Sequence, residues 1–95
     1  MQERKPLPES IQVIDAKQIR AARALLEWSQ DDLVKRTGLS LTTIRRMETS
    51  DIGPARSSMA NVTAVQSTLE GAGVQFIPEN GGGAGARLAK RTGQE

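Results

Sequence analysis

The sequence predicts an all-α domain, a bundle of four or five short helices, with a short C-terminal β-hairpin as an extension. Three observations lead there. The chain has 95 residues, which is room for one small core. Its residues are 37% hydrophobic but only 2% aromatic, with one Trp, one Phe and no Tyr, so the core is built from Leu, Ile, Val, Ala and Met. Such a composition favours packed helices over a β-sandwich. Finally, Ser and Asp caps and glycine stops recur at the intervals of short helices.

The elements follow in order. Residues 1–14 read as a polar, flexible arm. Asp15 and Gln18 have capping-box spacing, and Ile19, Ala22, Leu25 and Leu26 recur at helical intervals, so a first helix is expected from Ala16 to about Glu27. Trp28 closes it. Ser29 offers an N-cap, Asp31 and Asp32 suit the positive end of a helix dipole, and a second helix runs from Gln30 to Thr37. Gly38 stops it in a left-handed conformation, and Ser40 caps a third helix, Leu41 to Thr49. Asp51, Gly53 and Pro54 mark a loop, and either Ser57 or Ser58 caps a fourth helix reaching Glu70, with Met59, Val62, Val65 and Leu69 inward. Gly71 and Gly73 end it. Val74 to Ile77 and Ala86 to Ala89 then form a hairpin around a glycine-rich turn, and residues 91–95 read as a disordered tail. The domain proper is thus 15–71, with 72–90 as its extension. The expected core is Leu25, Leu33, Leu39, Ile44, Met47, Val62, Val65 and Leu69.

Composition also removes whole classes of chemistry. There is no His and no Cys, so disulfides, imidazole and thiolate metal sites, and His or Cys catalysis are absent. Asp31 and Asp32 are adjacent on a helix and point about 100° apart, a poor geometry for a shared carboxylate site. The expectation is a protein that is not an enzyme and uses no cofactor. Met1 to Ser10 is polar and interrupted by Pro6 and Pro8, unlike a signal peptide, and no apolar run approaches a membrane span. A cytoplasmic protein without membrane contact is expected.

The net charge is only +2, yet its distribution is uneven. Lys17, Arg20, Arg23, Lys35, Arg36, Arg45 and Arg46 oppose only Glu27, Asp31 and Asp32 between residues 17 and 46. That excess suits a phosphate-facing surface, although a solvated helical face has the same composition. Spacing adds the sharper signal. A helix-turn-helix needs an apolar residue one turn into its first helix, a residue able to turn left-handed, and apolar anchors beneath the second helix. Leu33, Gly38, Leu39, Ile44 and Met47 fill those roles in order, leaving Leu41, Thr42, Arg45 and Arg46 facing outward.

With these residues in place, the stretch RAARALLEWSQDDLVKRTGLSLTTIRRMETSD resembles the core of the lambda-repressor-like, Xre-type helix-turn-helix family. GAGVQFIPENGGGAGARL resembles an extension of some small members. The resemblance spans roughly Asp15 to Leu88. It implies a sequence-specific, DNA-binding transcriptional regulator, most simply a repressor, that docks its third helix in the major groove as a dimer on an inverted repeat. Leu41, Thr42 and Arg46 match base-contacting positions, Arg for guanine and Leu or the Thr methyl for thymine. Gln30 matches a phosphate-contacting glutamine, and Ser40, Thr43, Arg45 and Arg56 are placed for further phosphates. Glu48 matches a glutamate that pairs with an arginine of the first helix, here Arg23. Two positions depart from the pattern: Val34 stands where Ala is usual, and Thr37 where a small apolar residue is usual. Slightly wider or reoriented packing between the motif helices, as a local adjustment, is the consequence expected.

Alternative readings accompany these. Arg45 and Arg46 have Glu48 and Asp51 nearby as ion-pair partners, and Trp28 reads as core. The loop from Pro78 to Gly85 lacks the lysine and following helix of a phosphate cradle. Val74, Phe76 and Ile77 make the hairpin an expected homodimer interface, the alternative being a hairpin folded back on its own helices. The second functional class is a protein-interaction or antitoxin-like subunit that uses the same fold.

Overall fold

A computed structural model describes residues 14–89. It is mostly helical: α1 is Ala16–Leu26, α2 Gln30–Thr37, α3 Leu41–Met47 and α4 Met59–Gly71, followed by β1 Val74–Ile77 and β2 Gly85–Leu88. A single 3-10 turn, Pro54–Arg56, bridges α3 and α4. The expected arm and tail lie outside the described residues, except Ile14. That residue is 4% exposed and belongs to the core rather than to an arm.

Each helix begins where a side-chain oxygen satisfies an otherwise orphaned amide. Asp15 Oδ1 accepts from the Gln18 amide at 2.8 Å, and Gln18 Oε1 accepts from the Asp15 amide at 2.9 Å, which closes the capping box of α1. Ser29 and Asp32 repeat that reciprocal pair at α2, with distances of 3.0 and 2.8 Å. Ser40 caps α3 through the Thr43 amide, and Ser58, rather than Ser57, caps α4 through the Asn61 amide. Gly38 ends α2 at φ +79°, its amide donating to Val34 O at 2.9 Å. A Cβ there would meet nothing within 4 Å, so glycine is required by the backbone angle and not by space. Glu27 ends α1 in the same left-handed region, at φ +60°, without glycine's freedom. The sequence signal there was Trp28, one residue late.

The core gathers Ile14, Ile19, Ala22, Leu33, Ile44, Met47, Val62, Val65, Leu69 and Val74, with Leu26, Trp28, Val34, Leu39, Phe76 and Ala86 packed around it. One expected core residue, Leu25, and one expected inward residue, Met59, are outside. Leu25 is 39% exposed, because adjacent helical positions diverge by about 100° and Leu26 takes the inward one. Met59 is 66% exposed, because it opens α4 before the inward stripe begins at Val62. Leu39 is only partly buried.

The two departures in the motif have local answers. Thr37 Oγ1 donates to Leu33 O at 2.6 Å and accepts from the Leu39 amide at 3.1 Å, so it fastens the turn after α2. Val34 packs against the core.

The hairpin is antiparallel, pairing Val74 with Leu88, Gln75 with Arg87, Phe76 with Ala86 and Ile77 with Gly85. It folds back onto α1 and α4 of its own chain. Gln18, 5% exposed, ties it down: Nε2 donates to Ile77 O at 3.1 Å and to Gly85 O at 2.9 Å. One side chain therefore caps α1 and clasps the last rung of the hairpin. In the glycine-rich turn the amides of Gly81 and Gly83 point to Glu79 Oε2, and that of Gly82 to Asn80 Oδ1. Those amides serve the loop's own side chains, which argues against an anion cradle.

Candidate nucleic-acid interface

The surface in question is built on α2, its turn and α3. Ile44 and Met47 are each 1% exposed and root α3 in the core. Four positions around them point elsewhere: Thr42, Arg45 and Arg46 are exposed, and Leu41 is half-buried at the helix start. The expected reading face is therefore displayed. Ser40 and Thr43 are partly committed to structure, since Ser40 Oγ accepts from the Thr43 amide and donates to Thr43 Oγ1 at 3.0 Å.

Behind α3 a buried carboxylate organises three helices. Glu48 follows the last turn of α3 and its side chain is 3% exposed. Arg23 Nε donates to Glu48 Oε2 at 2.7 Å and Arg23 Nη2 to Oε1 at 2.8 Å, a bidentate fork from α1. Gln30 Nε2 adds a third donor from α2, 2.9 Å from Oε1. Arg20 also donates to the Glu48 main-chain carbonyl, and Arg23 Nη1 to Trp28 O at 3.0 Å. The hydrogen bonds to Glu48 hold the Arg23 guanidinium above its ordinary pKa, so the guanidinium is charged at any physiological pH. A buried carboxylate without such donors would be strongly unfavourable. Here its donors fix the angle at which α3 leaves the domain.

This network changes the place of Gln30. Its amide, expected on a phosphate, is turned onto Glu48, because the buried Oε1 takes a second donor there. It also answers the ion-pair alternative for Arg45 and Arg46. Glu48 is occupied from behind, and among the described residues the ion pair present is Arg23 with Glu48. Arg45 and Arg46 are left to solvent.

Arg46 and Arg56 converge. With Thr43, Ser57, Ser58 and Asn61 they line an open cleft of about 280 Å³ between α3 and the start of α4. Two arginines give this cleft a cationic lining, while its hydroxyls and the Asn61 amide are engaged in the caps of α3 and α4. On α2, the Arg36 guanidinium lies 4.2 Å from the centre of the Trp28 ring. That stack shields the half-buried indole and was not visible as a pattern, since the two residues are eight apart and on different elements.

Val74 and Phe76 do not form an exposed interface, and Ile77 is half-buried on the other face of the strand. Val74 is 3% exposed within its own core and Phe76 packs against that core, because the inward face of the hairpin is covered by the chain's own helices. Among the described residues no cluster of acidic side chains could hold a metal ion, and no helix is long and apolar enough to cross a membrane. The missed contributors are Gln18, Arg20 and Thr37. Gln18 and Thr37 carried legible local roles, cap and helix end, that concealed their second contacts. Compared with known proteins, the chain matches no family model, no curated protein and no solved structure.

Proposed function

We propose that the protein is a sequence-specific DNA-binding regulator of the lambda-repressor-like type, which lays α3 in the major groove. The observation that carries this reading is the two-sidedness of α3. Ile44 and Met47 are sealed in the core, while Thr42, Arg45 and Arg46 stand exposed, the two arginines without an ion pair among the described residues. A helix with a fixed back and a cationic, hydrogen-bonding front is what groove reading requires. Arg46 and Thr42 contact base edges with Leu41 beside them, while Arg45 and Arg56 contact phosphates. Ser40 and Thr43 support that contact from the start of the helix. Promoter occlusion, hence repression, is the simplest consequence, and a homodimer on an inverted repeat supplies the specificity that a single seven-residue helix lacks.

The test is the salt dependence of binding to a duplex selected from genomic fragments. With Arg45 and Arg56 on phosphates in two subunits, log K should fall against log salt with a slope of about −4. A protein-interaction or antitoxin-like subunit would leave the selection without a preferred sequence and show a shallow slope.

A further inference from the structure

Asn80 and Gly81 are both exposed in the hairpin turn, whose ends are fixed by the Ile77 and Gly85 rung and by the Gln18 clasp. Asparagine is a thermolabile residue because the backbone nitrogen that follows it can attack its side-chain carbonyl carbon and close a five-membered ring. Glycine in the following position has no Cβ to obstruct that approach. Three hydrogen bonds of the turn act on this pair. The Gly81 N–H, on the attacking nitrogen, donates to Glu79 Oε2 at 3.4 Å. The same oxygen accepts the Gly83 N–H at 3.3 Å, which holds the carboxylate over the turn. On the carbonyl under attack, Asn80 Oδ1 accepts the Gly82 N–H at 3.3 Å, so a donor meets the negative charge that develops on that oxygen. A base therefore sits on the nucleophile and a donor on the electrophile.

Asn61, the other asparagine of the chain, has the opposite surroundings. It lies in α4, where the nitrogen that follows it, that of Val62, is committed to Ser58 O at 3.0 Å and belongs to a β-branched residue. Its own Nδ2 donates to Ser57 Oγ at 3.5 Å. The chain thus carries its own internal control.

We propose that Asn80 and Gly81 are a self-modification site, at which the turn converts the asparagine amide to an aspartyl or isoaspartyl carboxylate with Glu79 as general base. The Gly81 nitrogen bonds to Asn80 Cγ as its proton passes to the Glu79 carboxylate. The Cγ–Nδ2 bond then breaks, and Glu79 gives the proton to the leaving nitrogen, which departs as ammonia. A succinimide remains. Water opens it at Cγ to give an aspartyl residue, or at the main-chain carbonyl to give an isoaspartyl linkage that runs through the former side chain. One water enters, one ammonia leaves, and nothing is oxidised or reduced. Either product places a second carboxylate beside Glu79 and lowers the net charge of +2 by one unit. The proposal is independent of the DNA reading.

The experiment is mass spectrometry of the full chain held at neutral pH and physiological temperature for several days, both folded and in denaturing guanidinium chloride. The folded wild type should gain the mass of an amide-to-acid exchange, passing through a lighter species that has lost only ammonia. Fragmentation of the tryptic peptide from Ser57 to Arg87 should place the change at Asn80 and leave Asn61 intact. Glu79→Gln keeps a hydrogen-bond acceptor but removes the base. It should slow the folded chain at least about threefold, less than a buried general base is worth because Glu79 is exposed, and leave the rate of the denatured chain unchanged. Asn80→Gln should abolish the change, since its ring would be one atom larger. An unchanged mass at Asn80 would overturn the proposal. So would a folded rate no faster than the denatured one, or a folded Glu79→Gln chain that reacts like the wild type, since either would show that the turn contributes nothing beyond its sequence.

Discussion

Arg23 and Glu48 join α1 to the end of α3 by two parallel hydrogen bonds of 2.7 and 2.8 Å, in a place where the carboxylate is almost sealed from water. Removing the carboxylate strands the guanidinium and the Gln30 amide together. Glu48→Ala should therefore lower stability by about 3 kcal/mol, the low end for a buried pair because the Arg23 side chain keeps 20% exposure. A double-mutant cycle with Arg23→Ala in urea should show coupling of at least ~1 kcal/mol. Coupling under ~0.3 kcal/mol would mean that the two residues do not act as a pair.

The core assignment separates two leucine-like positions of similar sequence appearance. Ile44 is 1% exposed and Leu25 is 39% exposed. Ile44→Ala should cost roughly 2–5 kcal/mol, and Leu25→Ala less than about 1 kcal/mol. Equal losses in chemical denaturation would place one of these helices wrongly.

Two helix ends share a left-handed backbone but not a residue type. Gly38 sits at φ +79° and Glu27 at φ +60°. Gly38→Ala should destabilise by about 1–2 kcal/mol through backbone strain alone, since the space is open. Glu27→Gly should be neutral or stabilise by up to ~1 kcal/mol, relief of strain being offset by the freer unfolded chain. Thermal midpoints check this: that of Gly38→Ala should fall and that of Glu27→Gly should not.

The Asp32 carboxylate accepts from the Ser29 amide while the Asp32 amide donates to the Ser29 hydroxyl, Lys35 and Arg36 lie nearby, and the Asp32 pKa is lowered from the usual range, chiefly by the bond to the Ser29 backbone. A depressed folded pKa contributes stability that is present above the unfolded value, about 3.9, and is lost as pH falls through the folded one. Asp32→Asn should thus be less stable than wild type at pH 6, with the gap closing in acid. A gap that is constant from pH 6 to pH 2 would show that the charge plays no part in the cap.

Much of this arrangement was legible in the sequence because it is local. Four caps, the Gly38 stop and the hairpin strands each follow from residues within a few positions of one another. The pair of Arg23 and Glu48 is 25 residues apart and was legible only through resemblance to a family pattern. What stayed hidden depends on tertiary placement. Nothing local says that Gln18 will clasp Ile77 and Gly85, that Gln30 will turn inward, or that Leu26 rather than Leu25 will face the core. The hairpin was legible as a hairpin, but its packing on α1 and α4 was only one of the two readings that the sequence allowed.

The central claim is that α3 reads base pairs, and base-by-base competition binding of Arg46→Ala and Arg45→Ala tests it most directly. Both residues are exposed at the end of the same helix, one position apart, and Arg46 alone shares the cleft with Arg56. Against a set of single-base variants of the selected duplex, Arg46→Ala should lose ~1–3 kcal/mol of discrimination at one base pair per half-site. Arg45→Ala should weaken all duplexes nearly alike and reduce the salt slope by about 1 per subunit. Discrimination unchanged at every base pair in both variants would contradict the account.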